Sequence, residues 1–267
     1  MYYKNFITRF ILRKNFLSRV KMRIKIFLRR NQKNEFDDLK FLFKLINKEP
    51  LHIFDCGANV GFVSYQFYKR FKDSKIHCFE PNPDVFQKLI ENLNKESANI
   101  KFNNSGISDS EGVLEFYKNK NTGTSSFLKP NDFHLSHLAR KFALIEVPII
   151  SIKTYCLENN ISEISILKLD IEGFELKALQ GCSEFLKQEK IDFIYTEVNF
   201  IPTYDNQPLI EDIISYMRTF NYYPFNFYGI NESKERQSII SNILFISNKV
   251  ATQINTINGK NSVYNLN

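Results

Sequence analysis

Leu51-His52-Ile53-Phe54-Asp55-Cys56-Gly57-Ala58-Asn59-Val60-Gly61-Phe62-Val63-Ser64-Tyr65-Gln66-Phe67 is the stretch that decides the fold. Its first part reads as a short apolar strand, His52-Ile53-Phe54, that stops at Asp55. A tight turn over 56–61 follows, with Gly57 and Gly61 bracketing it, and a helix opens at Phe62. Glycine admits backbone conformations and close approaches that a Cβ forbids. A helix beginning there presents unpaired N–H groups and the positive end of its dipole. The unit predicts a cradle for a nucleotide-like ligand at the carboxyl end of a strand in an open α/β sheet. Alone it is a weak signal, because the third glycine of G-x-G-x-x-G is missing and no G-K-[ST] ends the turn.

The next strand strengthens it. Residues 75–80 end on Glu80, followed by Pro81-Asn82-Pro83 and a helix over 83–95. An acid about 20 residues beyond a glycine turn, at the tip of the following strand, suits the two hydroxyls of a ribose. A surface charge flanking a helix is the plainer explanation of Glu80 alone. Turn and acid together favour a nucleoside ligand.

Outward from this core the strand–helix alternation continues, which implies parallel strands with helical crossovers. A helix over 35–48 precedes it, ended by Pro50. A third strand over 100–103 leads into 104–109, rich in turn residues. Residues 111–150 break the rhythm with a strand at 112–117, a polar loop at 121–126, a segment holding His134 and His137, and a strand at 147–151. An insertion beside the ligand edge often carries substrate contacts or a lid. The pattern resumes with a strand at 164–170, a helix at 174–186, a strand at 193–198 and a helix at 208–220. Two apolar stretches, 222–228 and 242–247, can close the sheet edge as an antiparallel hairpin. The Asn-rich tail 250–267 is expected to be poorly ordered.

The chain has 267 residues, 43% of them hydrophobic and 26 of them Phe, enough for a substantial core. The net charge of +7 is localised: residues 1–33 hold 11 of the 36 basic residues and no acid, so the remainder is mildly acidic. A general nucleic-acid surface is therefore not indicated. Within 1–33, Phe6, Phe10, Leu17, Val20, Ile24 and Phe27 recur at helical intervals among the basic residues. Such a helix can pack on its own domain or a partner chain, lie on an anionic membrane, or act as an organellar transit peptide. Cys56, Cys78, Cys156 and Cys182 show no C-x-x-C spacing, and no metal site is expected. Cys56 and Cys78 read as core thiols. No run approaches a membrane span and no signal peptide is visible, which fits a cytoplasmic protein, with peripheral membrane contact through 1–33 as a variant.

Taken together, FDCGANVGF, FEPNP, NNSGISDSEG, GTSSF, ILKLDIEGFELKALQG and the later Glu197 resemble the FkbM-type methyltransferases over about residues 50–248. KLDIEGFE is the most distinguishing part. The resemblance implies a Rossmann-like class I methyltransferase fold: a mostly parallel sheet with helices on both faces and an antiparallel edge hairpin. It implies S-adenosylmethionine as cofactor and a sugar, glycan or related small-molecule hydroxyl as acceptor. On that view 1–48 is a basic helical extension, 49–250 the methyltransferase domain and 251–267 a polar tail. Asp55, Gly57, Asn59 and Gly61 would line the methionine end of the cofactor. Glu80, with Asn82 beside it, would take the ribose, and Ser105 and Gly106 would border the adenine. Asp170 and Glu172 would stand near the transferred methyl, where carboxylates suit a sulfonium cation.

One position departs from the family pattern: Lys153 stands where an acid is common, which puts an acidic or metal role there in doubt. A base for an alcohol acceptor would come from Asp170, Glu172, His134 or His137. The bland alternatives are cofactor positioning for Asp170, helix-start charge for Glu172 and Glu175, and surface loop positions for the two histidines. Lys168 could pair with one of these acids. Two other classes stay open: an NAD-dependent oxidoreductase using the same turn and Glu80, and a non-catalytic methyltransferase-like interaction protein.

Overall fold

The computed structural model describes residues 34–137 and 142–258. The segment 1–33, with its expected two-faced helix, and residues 259–267 lie outside them. Helix α1 (Glu35–Leu45) is capped by Asn34, whose side chain accepts from the Phe36 N–H. Then come β1 (His52–Cys56), α2 (Phe62–Arg70), β2 (Lys75–Phe79), α3 (Pro83–Leu93) and β3 (Ile100–Asn103). The excursion contributes β4 (Gly106–Ser108), β5 (Gly112–Asn119), α4 (Asp132–His137) and β6 (Phe142–Ser151). The chain continues through α5 (Ile152–Glu158), β7 (Ile164–Leu169), α6 (Glu175–Gln180), α7 (Ser183–Lys187) and β8 (Ile191–Asn199). It ends in α8 (Ile210–Arg218), β9 (Tyr222–Glu232), β10 (Ser238–Ser247) and α9 (Asn248–Asn258).

The main sheet runs β3-β2-β1-β7-β8-β10-β9. The first five strands are parallel, and β10 is antiparallel to both β8 and β9. This is the expected Rossmann-like sheet with a reversed edge hairpin. Its strands are buried on both sides, as parallel strands between helical layers must be. Alternate residues point to opposite faces. Ile53, Ile76, Ile166, Phe193 and Leu244 join one core with α1, α2, α3 and α9. Phe54, Phe79, Leu167, Ile194 and Phe245 join the other with α5, α6, α7 and α8.

Three local expectations change. Residues 106–108, read as turn, form β4, which pairs parallel to β6 in a small second sheet of order β4-β6-β5. The single helix expected over 174–186 divides into α6 and α7 at Gly181. A Cβ there would stand 2.2 Å from the Ser108 carbonyl oxygen, so glycine lets β4 dock on the break. The stretch from 250, expected to lack order, begins as α9, and its Val250, Ala251 and Ile254 are buried in the core.

Candidate active site

The carboxyl ends of β1, β2, β7 and β8 build the site. Gly57 has φ +75° and Gly61 φ +92°, the left-handed region that favours glycine. Their positions are dictated by neighbours more than by an open ligand face. A Cβ on Gly57 would lie 1.9 Å from the Asp170 carbonyl oxygen, and one on Gly61 would press on Leu89 and Leu93 of α3. Behind the turn, the buried Lys168 ammonium sits 2.8 Å from Asp55 Oδ1 and 3.7 Å from Asp170 Oδ2. It also donates to the carbonyls of Gly57, at 2.8 Å, and Cys56, at 3.2 Å. Burial opposes the ammonium charge, but Asp55 and Asp170 outweigh it and hold Lys168 above the ordinary lysine range. Asp55 also accepts from Ser64 Oγ at 2.5 Å.

Glu80 follows β2. Register brings Cys56 level with Phe79, so the acid stands beside the glycine turn. Its two oxygens accept the backbone N–H groups of Asn59 and Asn82, each at 2.9 Å, which fixes the carboxyl plane. Burial pushes its pKa up to about 7, against the pull of those two amides. Asn82 caps α3 by accepting from the Asp84 N–H, while its Nδ2 is buried without a partner.

The opposite wall is acidic. Leu169 of β7 pairs with Thr196 of β8, which places Asp170 and Glu197 level on adjacent strands. The Asp170-Ile171-Glu172-Gly173 turn then folds Glu172 back, with φ +57° at Glu172 and +95° at Gly173. A non-glycine residue in that region carries backbone strain of about 1 kcal/mol or more. One carboxylate oxygen from each of Asp170, Glu172 and Glu197 lies within 4.8 Å of the other two. Burial and mutual repulsion, led by Asp170, raise the pKa values of Glu172 and Glu197 well above the carboxylate range. Glu175, at the first position of α6, is buried, accepts the Ile171 N–H at 2.9 Å and is pushed up by burial to about 7.

The excursion forms the roof. Thr122 Oγ1 donates to Asn59 Oδ1 at 3.0 Å, and Ser126 Oγ to the Glu172 carbonyl at 2.6 Å. Tyr204, in the loop after β8, donates its hydroxyl to Glu172 Oε2 at 2.9 Å, and the Tyr204 hydroxyl oxygen also lies 3.2 Å from the Thr124 carbonyl oxygen. Residues 129–131 are tied to 203–205 by backbone hydrogen bonds and a Pro130–Tyr204 bridge. Between roof and strand ends lies a cavity of about 250 Å³. Its walls include Gly57, Asn59, Glu80, Ser105, Gly106, Phe116, Phe127, Asp170, Glu172 and Glu197.

Of the residues singled out from sequence, Gly57, Asn59, Glu80, Ser105, Gly106, Asp170 and Glu172 are thus brought together around one cavity. Asp55, Gly61 and Asn82 are not among its walls: they support the turn, pack on α3 and cap it. His134, taken for a surface histidine, is fully buried, with its ring 4.6 Å from that of Tyr204 and neither nitrogen partnered. The His137 side chain lies outside the described residues. Lys153 is a surface residue paired with Glu184 at 2.9 Å, far from any acidic role. Lys168 does pair with the acids, as expected. The positions of Glu197, Tyr204 and Phe127 in the walls and roof depend on strand register and loop docking, which spacing along the chain does not reveal.

The residues fit a cationic nucleoside. A fixed, buried carboxyl can take two hydroxyl protons, and the unpartnered Asn82 Nδ2 beside it awaits an acceptor. Phe79, Pro81, Ile107 and Phe127 offer an apolar slot for a flat base, and Asp170 offers a counter-charge for a sulfonium. Sequence comparison agrees. The Methyltransferase FkbM domain family matches residues 55–224. The 2-O-methyltransferase NoeI of Sinorhizobium fredii is 25% identical over 188 residues, covering 67% of this chain and 76% of that protein. The hexuronic acid methyltransferase AglP of Haloferax volcanii is 22% identical over 170 residues, 64% of each chain and so under two-thirds of that relative's length. Among solved structures, a precorrin-6y C5,15-methyltransferase from Geobacter metallireducens is 9% identical with a TM-score of 0.42, over 81% of this chain and 91% of that one. The chain belongs to the FkbM methyltransferase domain family and is a methyltransferase whose cofactor is S-adenosylmethionine.

Proposed function

We propose that the enzyme methylates a hydroxyl of a sugar, free or within a glycan or related small molecule. The observation that carries this reading is the convergence of Asp170, Glu172 and Glu197 on the wall of the cavity that also holds Glu80 and the glycine turn. When bound, S-adenosylmethionine supplies an electrophilic methyl on a sulfonium with its own leaving group. Glu80 would hold the ribose, Gly57 and Asn59 the methionine end, and Ser105 and Gly106 the base. An alcohol acceptor must lose its proton, and a raised carboxyl pKa brings Glu172 closer to that task at neutral pH. Tyr204 and the Ser126 hydroxyl hold Glu172 from the side-chain and backbone ends. The roof orients the acceptor and keeps water out. The names of NoeI and AglP, a 2-O-methyltransferase and a hexuronic acid methyltransferase, favour a carbohydrate acceptor.

The test is incubation of the full chain with isotopically labelled S-adenosylmethionine and a panel of neutral and uronic glycosides, read by mass spectrometry. An alkali-stable methyl ether that fails to form with Asp170→Asn supports the proposal. Label appearing only as an alkali-labile ester, or on no glycoside while a non-sugar acceptor is methylated, would overturn it.

For 1–33 we retain docking on a partner chain or an anionic membrane, with the enzyme in the cytoplasm. Among the described residues no helix is long and apolar enough to cross a membrane. Co-sedimentation with anionic liposomes, compared between the full chain and 34–267, separates the two kinds of docking.

A further inference from the structure

A groove of about 510 Å³ lies against the roof, and the ring of Phe127 belongs both to its wall and to that of the cofactor cavity. Its other walls continue the segments that hold Glu172. Phe174 stands two residues after Glu172, and Asp205 and Asn206 directly follow Tyr204, whose hydroxyl donates to that carboxyl. Leu128 comes two residues after Ser126, which donates to the Glu172 carbonyl, and its Cδ1 would lie 3.0 Å from a Cβ on Gly173. The groove therefore borders the same turn that delivers Glu172 to the cavity.

Its chemistry is mixed. Tyr117, Phe127 and Phe174 supply aromatic rings, while Lys129, Asp205 and Asn206 are exposed hydrogen-bonding residues. Lys129 and Asp205 are loosely paired, at 3.9 Å with side chains 69% and 47% exposed, so both can turn to a ligand. Glu115 adds a second carboxylate, which leaves no positive excess to attract an anion. Rings set beside donors and acceptors of both signs suit a neutral pyranose, with its apolar C–H face and its hydroxyl rim. The volume is that of a small-molecule site, about 300–1,000 Å³.

We propose that this groove is an acceptor subsite for a neutral sugar unit next to the one being methylated, so that the substrate is a glycan of at least two units rather than a free monosaccharide. The inference rests on the carbohydrate reading above. The reacting hydroxyl stays at the wall of Asp170 and Glu172, and the neighbouring unit lies beyond Phe127. Contacts in the groove act away from the reacting atoms and contribute binding and orientation.

The experiment probes an array of mono- and oligosaccharides with the full-length protein saturated with S-adenosylhomocysteine. Each bound glycan and its terminal monosaccharide are then titrated in solution against wild type, Tyr117→Ala, Lys129→Ala and Asn206→Gly. Asn206 has φ +55°, so glycine keeps its backbone and removes only the amide. Phe127 is left intact because it also walls the cofactor cavity. Oligosaccharides are expected to bind at least about tenfold more tightly than their terminal monosaccharides, and to lose about three- to tenfold in Tyr117→Ala and Asn206→Gly. Monosaccharide affinity and S-adenosylhomocysteine binding by calorimetry are expected to stay unchanged in the variants, which certifies their folding. Equal affinity for an oligosaccharide and its terminal monosaccharide, or equal oligosaccharide affinity in all the folded variants, overturns the subsite and leaves the carbohydrate reading standing. Binding of no glycan by protein that holds S-adenosylhomocysteine overturns the subsite together with that reading.

Discussion

Lys168 and Asp55 face each other across adjacent strands at 2.8 Å, both closed off from solvent, directly behind the glycine turn. The same ammonium holds the carbonyls of Cys56 and Gly57. The glycine turn is therefore braced from within by a charge that is not among the cavity walls. Removing one member strands the other in a medium that solvates it poorly. Lys168→Met is expected to cost about 3–5 kcal/mol of stability, and Asp55→Asn in the same chain to recover part of it. Urea unfolding of the two variants measures this. A loss under about 1 kcal/mol in Lys168→Met would show that the pair does not brace the turn.

If Glu80 binds the cofactor ribose as proposed, cofactor affinity depends on pH. Its carboxyl is pushed up to about 7 by burial, and in the proposed role it would have to be ionised to accept both ribose hydroxyl protons. Between about pH 6 and pH 8 its ionised fraction goes from roughly one-tenth to nine-tenths. S-adenosylhomocysteine affinity should rise about ninefold over that range in wild type and stay flat in Glu80→Gln. For the free protein the sign is opposite. An acid whose folded pKa exceeds its unfolded value stabilises below the unfolded value, here 4.5, and that contribution is lost as pH rises through about 7. Glu175 shifts the same way. Thermal unfolding without ligand should show both acids' contribution falling over that window.

Gly106 lets an aromatic wall close. A Cβ there would lie 2.3 Å from Cζ of Phe127, whose ring is wedged between Phe116, at 4.9 Å, and Phe174, at 5.0 Å between centroids. The ring has neighbours on both sides and cannot give freely. Gly106→Ala should cost about 1–3 kcal/mol through overpacking and weaken cofactor binding about tenfold. Calorimetry of wild type and variant checks it; unchanged affinity would place the base elsewhere.

Tyr204 donates its hydroxyl to Glu172, and in the proposed reaction it would position that carboxyl. Tyr204→Phe keeps the ring packed against His134 and removes only the hydroxyl. It is expected to lower kcat about tenfold with cofactor affinity unchanged. Steady-state rates alongside a cofactor titration separate this from a general loss of folding, which would lower both.

The parts of this architecture legible in the sequence are those written in local pattern. Strand β1, its glycine turn and Glu80 sit within thirty residues of one another, and their apolar and polar alternation marks strand ends directly. What escaped depends on tertiary context. β4 has one apolar residue, Ile107, among turn formers, and becomes a strand because β6 lies beside it. Helix α9 hides Val250, Ala251 and Ile254 in an Asn-rich stretch, so its buried stripe is diluted by polar neighbours. Gly61 reads as a ligand contact, yet its missing Cβ makes room for Leu89 and Leu93. His134 reads as a loop residue because nothing nearby in sequence announces Tyr204, seventy residues on, as the ring it packs against. Glu197 joins Asp170 through sheet register alone.

The central claim is that the cavity between Gly57, Glu80, Gly106 and Asp170 binds S-adenosylmethionine. Isothermal titration of the full chain with S-adenosylmethionine and S-adenosylhomocysteine, repeated on Glu80→Ala, tests it most directly. The account predicts one site per chain with micromolar-order affinity for both ligands and loss of at least about tenfold in the variant. Absence of binding in wild type, or equal binding by a folded Glu80→Ala, would contradict it.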